Sequence, residues 1–137
     1  MIKADNLTKR FQGVTAVDHI HAEIQDGTVF GLIGTNGAGK STFLRMAAGI
    51  LKPDEGTITL DGESVFEDTR VKARCFYIPD EPYFLGNGTA DDMKTFYQGI
   101  YPNFDTDRFG RLLKSFELDG RRKIQTFSKG MKKQLAV

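Results

Sequence analysis

The chain has 137 residues, 39% of them hydrophobic, with one cysteine and a formal net charge of +1. That length suits one small domain, and 11 Phe with 4 Tyr supply material for a core. A single cysteine excludes an internal disulfide, the near-neutral charge gives no reason to expect a polyanionic partner, and no apolar stretch approaches a membrane span.

In chain order, Val17–Ile24 reads as a strand with Ile20, Ala22 and Ile24 on its core face and His19 and His21 on the other. With no third ligand nearby in sequence, the two histidines are not read as a metal site. Thr28-Val-Phe-Gly-Leu-Ile33 is a short apolar run of the kind that forms a buried strand. It leads into Gly34-Thr-Asn-Gly-Ala-Gly-Lys-Ser41, which fills the pattern G-x-x-x-x-G-K-[ST] without a mismatch. Phe43-Leu-Arg-Met-Ala-Ala48 continues with helical character, and Leu44, Ala47, Ala48 and Leu51 share one face.

Strand, glycine-rich turn and helix start, in that order, gather backbone N–H groups and the positive end of a helix dipole around one anion. Gly34, Gly37 and Gly39 permit backbone geometries and a close approach that a Cβ would obstruct. The amides along Gly34, Thr35, Asn36, Gly37, Ala38 and Gly39 are thereby expected to wrap a β-phosphate. Lys40 is expected to reach the β- and γ-phosphates, Ser41 to offer its hydroxyl to Mg²⁺, and Thr42 to lie beside it. The pattern predicts a nucleoside triphosphate as ligand, and the Asn-Lys-x-Asp by which GTPases read guanine does not occur.

Further on, Cys75-Phe-Tyr-Ile78 reads as a second buried strand, followed by Pro79-Asp-Glu-Pro82. Met93, Phe96, Tyr97 and Ile100 then take helical spacing after a Thr89 cap, and Phe109, Leu112, Leu113 and Phe116 repeat it after Asp105. Ser128 is suited to cap a helix through Met131-Lys-Lys-Gln-Leu135, which makes its amides and hydroxyl a second anion site. The basic residues Arg121, Arg122, Lys123, Lys129, Lys132 and Lys133 read as solvated surface, since acidic residues balance them across the chain.

At this spacing the motifs resemble the ATP-binding subunit of an ABC transporter, from the first residues to the last. The wording Ile78-Pro-Asp-Glu-Pro82, with Tyr83-Phe84 and Pro102-Asn-Phe-Asp105, is similar to the Ytr-type branch of bacterial ABC-2-like exporters. The resemblance implies an α/β P-loop NTPase cassette: an antiparallel β lobe, a partial parallel core sheet with helices, and a helical subdomain. It divides the chain into a nucleotide-binding lobe at 1–80, the helical subdomain at 81–127, and the signature with the start of its helix at 128–137. ATP and Mg²⁺ are the implied ligands.

Leu7-Thr-Lys-Arg-Phe11 with Val14–Asp18 resembles the segment that carries the family's adenine-stacking aromatic, which makes Phe11 that ring. Asp80 stands where most members have a Gln that contacts Mg²⁺ and the attacking water; an ionised carboxylate can ligate Mg²⁺ but cannot donate a hydrogen bond. Thr126–Met131 resembles the signature Leu-Ser-Gly-Gly-Gln, keeping Ser128 and Gly130 and departing at Phe127, Lys129 and Met131. In the family this segment meets the γ-phosphate held by a second ATP-binding subunit. The surface near Tyr83, Phe84 and Leu85 meets a transmembrane permease subunit, although burial between two lobes accounts for these side chains equally well. The implied place is the cytoplasmic face of the membrane, with no nucleic-acid partner.

The family's Asp-Glu strand end and its later His do not occur within the 137 residues. The chain is therefore expected to be the N-terminal part of such an ATPase, truncated after the signature, which binds ATP without turning it over. Loss of a general base alone costs about 10²- to 10⁴-fold. The middle strands of the parallel sheet would also come from later sequence, so the runs at 29–33 and 75–78 are expected to lie parallel with a gap between them. The alternative reading is a non-transport ABC protein acting on ribosomes or nucleic acid. The segment Asp80–Gly88 discriminates the two, because a transport subunit needs a docking surface there.

Overall fold

Two long antiparallel strands, β1 (Ile2–Phe11) and β2 (Val14–Ile24), are joined by a two-residue turn in which Gln12 and Gly13 both take positive φ, 45° and 83°. That turn has the twist that right-handed strands require. β3 (Glu55–Leu60) pairs with the other edge of β1, and the short β4 (Glu63–Ser64) follows through Asp61-Gly62, a second turn of the same kind. The sheet order is β2-β1-β3-β4, antiparallel throughout. The computed structural model describes residues 1–137, whose contacts gather into two units, Met1–Tyr77 and Ile78–Val137.

In the first unit, α1 (Lys40–Ala47) lays Phe43, Met46 and Ala47 against Ala4, Leu7, Val17 and Ile58 of the sheet. Val65 and Val71 close the same core, Val71 from the short helix α2 (Thr69–Lys72) that Asp68 caps. Burying side chains of this size contributes about 1.5–3 kcal/mol each for the larger ones. The buried face of α1 is thus rotated from the one expected: Leu44 is exposed, and Phe43 takes its place in the core. Ala22 and Ile24 pack at the core margin as expected, but Ile20 is exposed. The reason lies one residue away, at His19, whose φ of 46° interrupts the alternation of β2 and whose N–H bonds the buried Thr8 hydroxyl at 3.1 Å.

The two expected buried strands at 28–33 and 75–78 do not form. No ladder joins these runs to each other or to any other segment, and Val29, Ile33 and Phe76 stand in solvent. A strand exists only through its neighbours' N–H and C=O groups, and no segment among residues 1–137 offers them here. The antiparallel part of the expected architecture is present; its parallel part is not formed among these residues.

The second unit is helical. α3 (Ala90–Ile100) starts at Thr89, whose hydroxyl accepts from the Asp92 N–H while the Asp92 carboxylate accepts from the Thr89 N–H, a closed capping box. α4 (Thr106–Ser115) starts at Asp105, and α5 (Lys129–Ala136) at Ser128. Tyr97 of α3 stacks on Phe104 at 5.9 Å, and Phe104 meets Phe109 of α4 at 5.7 Å, so a run of aromatic rings joins the two helices. Burial, and then the neighbouring Tyr101, raise the Tyr97 phenol above its usual pKa. Gly88, Asp91, Gly120 and Ile124 exchange backbone hydrogen bonds that tie the start of α3 to the segment before the signature. No helix of the chain is long and apolar enough to cross a membrane.

Candidate functional site

The loop Gly34–Ser41 lies in the first unit, between the unpaired run at 28–33 and α1. Gly37 and Gly39 take φ of 85° and 82°, a region in which an L side chain is strained. Gly39 has a second constraint: a Cβ there would collide with the carbonyl oxygen of Ala16. Ala16 is an extra residue of β2, because Lys9 pairs with Val17 while Arg10 pairs with Thr15. The bulge pushes its carbonyl against the loop, so one hairpin both seats the loop and carries Phe11 at the end of β1.

The chemistry of the loop follows from what it leaves unpaired. α1 has Gly39 at its N-cap and no side-chain cap, and the N–H groups of Lys40, Ser41 and Thr42 have no acceptor within the protein. Its first turn holds no acidic residue. The Lys40 ammonium folds back onto the loop, donating to the Gly34 carbonyl at 2.7 Å and the Thr35 carbonyl at 2.6 Å. A cation and a row of free amides therefore stand together at the start of α1, an arrangement that attracts phosphate oxygens. Ser41 is exposed at the first turn, where its hydroxyl is open to a hard cation or an anion.

Phe11 is 45% exposed and so is not a core residue. The structure thus brings Phe11, the loop residues, Lys40, Ser41 and Thr42 into one unit. Asp80, Ser128 and Gly130 belong to the other. Asp80 is exposed there, and the Ser128 hydroxyl accepts from the Met131 N–H at 3.2 Å, as its capping role requires. Gly130 is exposed, with only the Ser128 hydroxyl close to where a Cβ would stand. Part of the basic cluster has structural work: Arg122 donates to Thr126 and covers the Phe127 ring, and Lys123 donates to the Asn87 carbonyl at 2.7 Å. Asp107 and Gly110 fall at the Asp-x-x-Gly spacing that GTPases also use, but both lie within α4 as ordinary helix.

Sequence reasoning passed over Ala16, Lys9 and Asp54. Ala16 is signalled only by a register shift, which depends on pairing between strands. Lys9 and Asp54 are 45 residues apart and meet because β3 returns alongside β1.

The family model described as "ABC transporter" matches residues 17–137. The whole chain aligns with "ABC transporter ATP-binding protein YtrB" of Bacillus subtilis at 33% identity over 137 residues, covering 47% of that protein. It aligns with "Bacitracin transport ATP-binding protein BcrA" of Bacillus licheniformis at 31% over 141 residues, again over the whole chain and 46% of the relative. Among solved structures, an "ATP binding subunit of ABC transporter" superposes with a TM-score of 0.82 at 24% identity, over 99% of this chain and 59% of that one. A "Putative ABC transporter (ATP-binding protein)" from Pyrococcus furiosus gives 0.79 at 25%, over 98% and 66%. The chain spans about half the length of the curated relatives it matches.

Proposed function

The chain belongs to the ABC transporter family of ATP-binding proteins, and from that premise we propose that it forms the ATP-binding part of an exporter's motor subunit. The observation that carries the reading is the open start of α1, where the free amides of Lys40, Ser41 and Thr42 stand beside the Lys40 ammonium. ATP supplies the phosphates; the amides of Gly34, Thr35, Asn36, Gly37, Ala38 and Gly39 wrap them, and Lys40 exchanges its carbonyl contacts for phosphate oxygens. Phe11 stacks on the adenine, which adds affinity with little discrimination between purines. Ser41 offers a hydroxyl, an oxygen donor of the kind Mg²⁺ takes, and would hold the ion that accompanies ATP. Mg²⁺ there would neutralise phosphate charge.

In this reading residues 1–80 are the nucleotide lobe, 81–127 the helical subdomain, and 128–137 the signature, whose Ser128 and Gly130 serve the ATP of a second subunit. All the roles assigned within residues 1–137 are binding roles. The partner reading is supported by the exposure of Tyr83 and by an open cleft of about 540 Å³ lined by Leu85, Gly86, Asn87, Gly88, Asp92, Thr95 and Phe96. A separate permease subunit at the cytoplasmic face of a membrane suits that surface. The printed name of one relative, "SkfA peptide export ATP-binding protein SkfE" of Bacillus subtilis, favours export.

ATP titration of the purified protein against its Lys40→Ala variant tests the site. A lost charge-assisted hydrogen bond is worth about 1.5–3 kcal/mol, so the variant binds roughly tenfold more weakly or worse. Equal affinities overturn the assignment.

A further inference from the structure

Lys9 precedes Phe11 by two residues on β1, and its ammonium sits 5.5 Å from the centroid of the Phe11 ring. Its side chain is only 13% exposed, unusual for a lysine, and its Nζ donates to Asp54 Oδ1 at 2.7 Å. The other oxygen of Asp54 accepts from the Arg10 N–H at 2.6 Å, and the Asp54 N–H donates to the Thr8 carbonyl at 2.9 Å. Arg10 in turn pairs with Glu55 at 2.6 Å. One aspartate, the residue just before β3, thus grips three consecutive residues of β1, and the next residue is Phe11. The ring at the end of this clamp carries a cation against it while remaining 45% exposed.

We propose that Lys9, anchored by Asp54, is a positioning residue for base stacking: it seats the Phe11 ring and leaves it one face to offer to the adenine of ATP. The inference rests on the stacking role given to Phe11 above. A cation held against a ring also draws on its π-electrons, which favours stacking of an electron-rich base on the free side.

The test compares titrations of the full chain with ATP and with inorganic tripolyphosphate, which engages the loop and has no base. Lys9→Met weakens ATP binding by about 2- to 5-fold and leaves tripolyphosphate binding unchanged. Lys9→Arg, which keeps the cation and the ion pair, restores ATP affinity. In a Phe11→Ala background Lys9→Met has no further effect. Should Lys9→Met fail to fold, Asp54→Asn releases the ammonium at nearly constant shape and shows the same ATP-specific loss. Equal weakening of both ligands, or a Lys9 effect that persists without Phe11, overturns the proposal. If Phe11→Ala weakens ATP binding and Lys9→Met is silent, this inference fails alone. If Phe11→Ala leaves ATP binding unchanged, the stacking role itself falls.

Discussion

Helices α1 and α3, one in each unit, meet the same problem at their N-termini in opposite ways. Every helix begins with N–H groups that have no partner inside it. At α3 the Thr89 hydroxyl and the Asp92 carboxylate answer two of them reciprocally, and Asp91 donates to the Gly120 carbonyl. At α1 a glycine stands at the cap, nothing answers Lys40, Ser41 and Thr42, and the nearest charge is a lysine. The first arrangement stabilises a helix; the second withholds that stabilisation until an anion arrives. A closed start is scaffold and an open one is a binding device, so the unsatisfied groups mark the ligand site more directly than the loop's glycines do.

The largest effect is expected at Gly39, where the comparison is easiest to break. Alanine there combines a strained positive φ with a collision against the Ala16 carbonyl, at a cost of at least about 3 kcal/mol. Gly39→Ala should lower the melting temperature and weaken ATP binding by more than about a hundredfold. Wild-type affinity in a titration of this variant would show that the bulge does not hold the loop.

Thr89→Ala is the counterpart at the closed start. Losing the cap should cost about 1 kcal/mol in chemical denaturation and leave ATP affinity untouched. A change in affinity would mean that α3 is more than scaffold.

The smallest effect is one of pH. The Thr89 N–H first, and then the Thr89 hydroxyl, hold the Asp92 carboxyl below the usual carboxylate range. A folded pKa lowered in this way contributes stability that is complete above the unfolded value, about 4, and is lost as pH falls through the folded one. Acid should therefore open the α3 start below about pH 4, while α1, with no acidic residue in its first turn, has nothing there to protonate. Denaturation midpoints between pH 5 and 2, compared with those of Asp92→Asn, which lacks this one contribution while Asp54, Asp61 and Asp68 keep theirs, check the direction.

What was legible in the sequence was local. The phosphate loop spans eight residues, and Thr89, Asp105 and Ser128 each cap a helix within four positions of themselves, so chemistry and geometry lie within one window. The Ala16 bulge was hidden because a bulge is a relation between two strands, and the Lys9–Asp54 pair because it joins β1 to β3. Leu44 and Phe43 lie on adjacent faces of α1, and only the position of the sheet decides which is buried. The runs at 28–33 and 75–78 carry a strand's composition, but composition cannot supply the neighbours a strand needs.

Val29, Phe30, Leu32 and Ile33 are exposed along a run whose backbone groups take part in no ladder, the combination that invites a further strand to pair with it. Beside its ligand loop the chain thus displays a template to which a further strand can be added.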